Sequence, residues 1–249
     1  MDFNLFLILP IAGLFGYVAQ HYVEYFADNF NRTLQQSYQQ TYQECYVEVI
    51  GSQITLKADY QWLKPLSNKA LRYLPPVFGL VAWLLYSLQS QYQQPDLLVV
   101  MWWLYALALL TAIALADYHY RLISTLMCQH LLLLALFGSW QNIAFVSLEQ
   151  SMQSLFIALP LMILFYLGSK WLYRKEVFGE GDCWLITALA AFYPYQQLPL
   201  LLLFATGFGL LSALLYWIKS NSEKANLRTL ELPFAPSLAL SALLLAVIM

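Results

Sequence analysis

Leu97 to Leu115 and Leu198 to Leu215 run almost without a polar interruption, and about 20 apolar residues are what an α-helix needs to cross the hydrocarbon of a bilayer. Few folds accept such runs. Hydrocarbon offers no partner to backbone N–H and C=O groups, so only helices and closed barrels span it. Transmembrane strands would alternate apolar with polar residues, which these runs do not. With 61% of the 249 residues hydrophobic and 10% charged, the composition lies outside that of soluble domains. The expectation is an all-α polytopic membrane protein with about eight transmembrane helices, near residues 3–23, 75–90, 97–116, 122–140, 152–172, 183–197, 198–218 and 233–249. The second and sixth are the shortest.

Charge gives this topology an independent test, because short loops on the cytoplasmic side keep Lys and Arg. All 12 basic residues fall in odd-numbered loops. Arg32, Lys57, Lys64, Lys69 and Arg72 lie in the first, Arg121 in the third, Lys170, Arg174 and Lys175 in the fifth, and Lys219, Lys224 and Arg228 in the seventh. Were the sixth span not to cross, the fifth and seventh loops would carry their basic residues on opposite sides. Both termini are therefore expected outside. Met1-Asp2-Phe3-Asn4 has no basic residue and no small-residue cleavage site follows it, so the first span reads as a retained helix.

Residues 27–74 form the one sizeable polar segment, a cytoplasmic insert between a first transmembrane helix (1–26) and a helical membrane core (75–249). Within it, Cys45 to Ile50 and Gln53 to Lys57 are strand-prone runs around Gly51-Ser52, the pattern of a β-hairpin. Cys45, Cys128 and Cys183 are too scattered for a disulfide framework. A net charge of −2 without a basic stripe argues against nucleic acid as a partner, leaving the lipid bilayer and something in it. His21 and Glu24 share a helix face and with Asp117 and His119 can be drawn as a metal site. No His-Glu-x-x-His pattern supports it, however, and no metal or cofactor is expected.

The chemistry concentrates in two acids. Ionisable groups at membrane depth are costly, so an acid kept at the end of a span marks a candidate site. Asp117 closes the third span and Asp182 opens the sixth, in Gly179-Glu180-Gly181-Asp182. In the predicted topology both lie on the cytoplasmic side at similar depth. Two such carboxyls share one proton: the ionised member takes a proton from water while the protonated one hydrogen-bonds a carbonyl. Gly179 and Gly181 are expected to supply backbone freedom. Helix polarity favours an anion at a helix N-terminus, which assigns the charge to Asp182 and the proton to Asp117. The bland alternatives are an N-cap for Asp182 and an interfacial charge beside Arg121 for Asp117.

From Leu97 onward the chain resembles the type IV prepilin peptidases, membrane aspartic proteases with a Gly-x-Gly-Asp signature. The resemblance rests on Asp117 before a polar turn and a Leu-rich span, on Gly179-Glu-Gly-Asp182 before Ile186 to Ala191, and on Leu232-Pro-Phe-Ala-Pro236 in place of a Pro-Phe-Gly-Pro element. It implies Asp117 and Asp182 as the catalytic pair and Gly179, Glu180 and Gly181 as their loop. It also implies a bacterial inner-membrane location with the active site facing the cytoplasm, and prepilins or pseudopilins as substrate partners. Trp184 stands where a Lys is common, Ser124 where a Pro is usual, and Ala235 where a Gly is. Many members also methylate the new N-terminus with S-adenosylmethionine. The tetracysteine zinc module of the bifunctional members is absent here, which removes the support for methyl transfer and leaves the dyad intact. The competing readings are another Gly-x-Gly-Asp intramembrane protease, against which Ala116 stands where a Tyr would be expected, and a noncatalytic assembly or transport protein.

Overall fold

The computed structural model describes residues 3–46, 69–92, 97–174, 179–219 and 233–248. Eight α-helices account for most of them: α1 Phe3–Tyr46, α2 Leu74–Tyr92, α3 Leu97–Tyr120, α4 Thr125–Trp140, α5 Leu148–Tyr173, α6 Glu180–Ala190, α7 Leu198–Lys219 and α8 Ala235–Ile248. Short 3-10 turns at Lys69–Tyr73 and Tyr195–Gln197 lead into α2 and α7. The fold is all-helical among the described residues. The expected hairpin falls largely outside them, and where its first run is described, at Cys45 and Tyr46, the chain is still helical. No Gly or Pro stands between Tyr17 and Ile50, so nothing local stops α1 at residue 26.

Three described stretches are long and apolar enough to cross a bilayer: Leu97–Tyr120, Leu148–Tyr173 and Tyr195–Leu215. α4 and α8 are shorter apolar helices. Helix α3 is central, and it is apolar on every side because it is packed on two. Trp102, Ala106, Leu110 and Ile113 join a core with α4, α6 and α8. Val100, Leu104, Ala108 and Ala112 meet Ile8, Ala12, Ala19 and Val23 of α1 and Phe78 and Ala82 of α2. Alanines recurring at four-residue spacing let these helix backbones approach closely, which is how helices pack where no hydrophobic force drives them together.

α6 has 11 residues, about 16 Å of helix at 1.5 Å per residue, roughly half of the hydrocarbon thickness. A helix that stops inside the membrane leaves carbonyls to satisfy. Ser151 and Ser154 of α5 do this, donating to Ala191 O at 2.7 Å and Tyr193 O at 2.6 Å. Tyr193 in turn donates through its hydroxyl to Ala242 O of α8 at 2.6 Å.

The other ends of α6 and α8 lie below the ends of their neighbours. Cys183 Sγ of α6 is 3.8 Å from Met162 O, and α5 runs on to Tyr173, about 16 Å further. A Cβ on Gly209 of α7 would lie 3.8 Å from Ser237 Oγ and 3.9 Å from the Phe234 ring at the start of α8. From Gly209, α7 continues to Lys219, about 15 Å more. Gly209 is inside the apolar stretch Tyr195–Leu215, so the start of α8 lies beside the apolar length of α7, short of that helix's end.

Candidate active site

Asp117 occupies the last turn of α3. Its neighbour Arg121 takes a left-handed conformation, φ 55°, and its N–H closes the helix onto Asp117 O at 2.8 Å, the usual way a helix ends before a tight turn. Asp117 is 6% exposed. Burial of a carboxylate requires partners, and the start of α8 supplies them. Ala235 N–H donates to Asp117 Oδ2 at 2.8 Å, and Phe234 N–H donates to the same carboxyl. Phe234 O accepts from Leu238 N–H, so Phe234 is the N-cap residue and its N–H and that of Ala235 are among those a helix leaves unpaired. The Pro-Phe-Ala-Pro element thus serves Asp117 directly. Its motif was legible in the sequence, but its role was not, because the pairing joins residues 118 positions apart.

Asp182 stands in the first turn of α6, and its N–H donates to Gly179 O at 3.1 Å. Gly179 N–H donates to the Asp182 carboxyl. The other oxygen, Oδ1, is buried and has no hydrogen-bond partner among the described residues. Asp182 lies within electrostatic reach of Asp117. A fully buried carboxylate oxygen with no donor among the described residues, in a group that feels the charge of a second acid, calls for an explanation.

The two glycines act through space rather than through special dihedral angles. Neither has positive φ, and Gly179, at φ −69° and ψ 138°, is ordinary extended backbone. A Cβ on Gly181 would lie 2.6 Å from Ile123 Cβ and 3.2 Å from Ile123 O. Only a bare Cα lets α6 press against the turn that follows Asp117. A Cβ on Gly179 would lie 3.0 Å from Asp182 Oδ2, crowding the carboxylate itself. Backbone freedom was the sequence expectation; close approach is the observed reason. Cys128 Sγ, 4.0 Å from Gly181 O, completes the contact between α4 and α6.

Glu180 is exposed at the first position of α6. Trp184 lies two residues beyond Asp182, about 200° round the helix, and with Glu180, Cys183 and Thr187 it forms the α6 wall of a groove of about 330 Å3. Its other wall is α5, including Met162 and Tyr166. The indole therefore faces α5. His21 and Glu24, drawn in the sequence as metal ligands with Asp117 and His119, have other partners: the His21 ring stacks on Tyr17 and Tyr25 at 6.1 and 6.0 Å, and Glu24 accepts from Gln20 at 2.9 Å.

Residues 104–214 match the Type IV leader peptidase family, and this segment contains both acids and the glycine loop. Among similar proteins is a Prepilin leader peptidase/N-methyltransferase of Haemophilus influenzae, 35% identical over 150 residues, or 60% of this chain and 61% of the relative. A protein of the same description from Legionella pneumophila is 32% identical over 145 residues, covering 57% of this chain and 47% of that one. The aligned part thus spans between about half and three fifths of the length of these relatives. No solved structure matches the chain.

Proposed function

We propose that this protein is a membrane aspartic endopeptidase that removes the leader from prepilin or pseudopilin substrates, with Asp117 and Asp182 as its catalytic pair. The observation that carries this reading is the unpartnered, buried Oδ1 of Asp182 within the field of Asp117. In the proposed reaction a water between the carboxyls gives a proton to the ionised acid and attacks the scissile carbonyl. The protonated acid donates to the carbonyl oxygen as the tetrahedral intermediate forms, and the leaving amine then takes up a proton as the C–N bond breaks.

Hydrogen bonds assign these roles the other way round from helix polarity alone. Asp117 does end α3, whose carbonyls disfavour an anion there, but its carboxylate also receives two N–H donors from the N-terminus of α8. Such donors stabilise a carboxylate. Asp182 receives one from Gly179 and leaves Oδ1 free to carry a proton toward a substrate carbonyl. Asp117 is therefore the base and Asp182 the acid. The basic residues of the odd loops support a site opening to the cytoplasm, and because α6 and α8 begin short of the ends of α5 and α7, the scissile bond would enter between those ends.

The test is cleavage of a prepilin-like peptide by the purified full chain in detergent. Asp117→Asn and Asp182→Asn are each expected to lower the rate by at least about 10³-fold, as removal of an acid–base partner does, with thermal midpoints that still report a folded protein. Undiminished cleavage by either variant overturns the assignment.

A further inference from the structure

Ser124 occupies the N-cap position of α4 with an extended backbone, φ −76° and ψ 116°, yet its side chain makes no capping bond. Serine there normally turns its hydroxyl onto the first turn of the helix. The Ser124 side chain instead lies within hydrogen-bonding reach of the Tyr22 hydroxyl of α1. Around that contact α1 packs on the same turn through rings: Tyr22 against Phe26 at 5.9 Å, and Phe26 against Tyr120 at 5.6 Å. The turn in question runs from Asp117 to Ser124, and it carries Ile123, onto which Gly181 and so Asp182 are pressed. One loop thus touches both acids' elements, and α1, which lies outside the matched family segment, meets that loop through the Tyr22 hydroxyl and the Phe26 ring.

We infer that Tyr22 is a positioning residue for the Asp117–Asp182 pair, acting through Ser124 to fix the turn that sets the two carboxyls against each other. This deepens the proposed peptidase reading and rests on it. Tyr22 touches neither substrate nor acid in this scheme; it removes slack from the loop between them. Loss of about an ångström of placement costs a catalytic group up to about 10²-fold, while one half-buried hydroxyl pair contributes little to folding. Rate and stability therefore separate.

The experiment uses the full chain in detergent with the same prepilin-like peptide. Tyr22→Phe and Ser124→Ala are each expected to lower kcat about tenfold, with KM unchanged and the thermal midpoint within about 5 °C of the parent. The double variant should be no slower than either single one, since both remove the same contact. The Ser124 backbone already sits near the φ of about −65° that proline enforces, so Ser124→Pro in the Tyr22→Phe background is expected to restore kcat. A Tyr22→Phe enzyme with parental kcat, additive losses in the double variant, or no recovery with proline would each overturn the inference. Absence of cleavage by the parent chain itself would instead refute the peptidase reading.

Discussion

Two backbone atoms decide how Asp117 behaves, and a single substitution removes one of them. Proline at Ala235 deletes the N–H that donates to Asp117 Oδ2 while occupying the first position of α8, which proline tolerates. A hydrogen bond to a charged group is worth about 1.5–3 kcal/mol, so Ala235→Pro is expected to lower kcat by about 10- to 100-fold in the peptide assay; an unchanged rate would mean that Asp117 does not work as an anion. Gly181→Ala is expected to cost about 1–3 kcal/mol of stability, the range for overpacking, because its Cβ meets Ile123 at 2.6 Å, and to lose cleavage with it. Gly179→Ala meets only the movable end of Asp182, at 3.0 Å. It should therefore leave the thermal midpoint nearly unchanged and still reduce kcat by about tenfold; a large stability loss instead would place the strain in the loop backbone.

Short helices are the elements that make this site, and they are also where the sequence was hardest to read. The long apolar runs gave α3, α5 and α7 almost directly, since an uninterrupted run admits one periodicity. The apolar pattern predicts α6 over 183–197, but it spans Glu180–Ala190. It begins early because Glu180 and Asp182 suit a helix N-terminus, and it ends early because Phe192-Tyr193-Pro194 turns away, with carbonyls held by serines 39 and 40 residues upstream. No local pattern announces such long-range partners. The same is true of the N–H groups of α8 on Asp117 and of Tyr22 on Ser124. Ser151→Ala and Ser154→Ala are each expected to destabilise the protein by about 1–3 kcal/mol by orphaning a buried carbonyl, as measured by denaturation in mixed micelles, with kcat of the folded fraction unchanged. Wild-type stability in both would show that α6 does not depend on these caps.

At the scale of the molecule, α3 is the spine: one side binds the α1–α2 pair, the other the α4–α6–α8 core, and its last turn delivers the first acid. The all-helical class was legible because hydrocarbon tolerates few topologies, and the two acids stood out because it tolerates few charges; the seating of short α6 and α8 against longer neighbours was not, since it depends on long-range contacts. Convergence of Asp117 and Asp182 on one site is the central claim. Its most direct measurement is cross-linking of an Asp117→Cys/Asp182→Cys chain, with the three native cysteines changed to serine, by a short thiol-specific bifunctional reagent in native membranes. Joining of the two positions within one chain, detected by mass spectrometry of the linked peptides, is predicted. Efficient modification of both thiols without any link between them would contradict it.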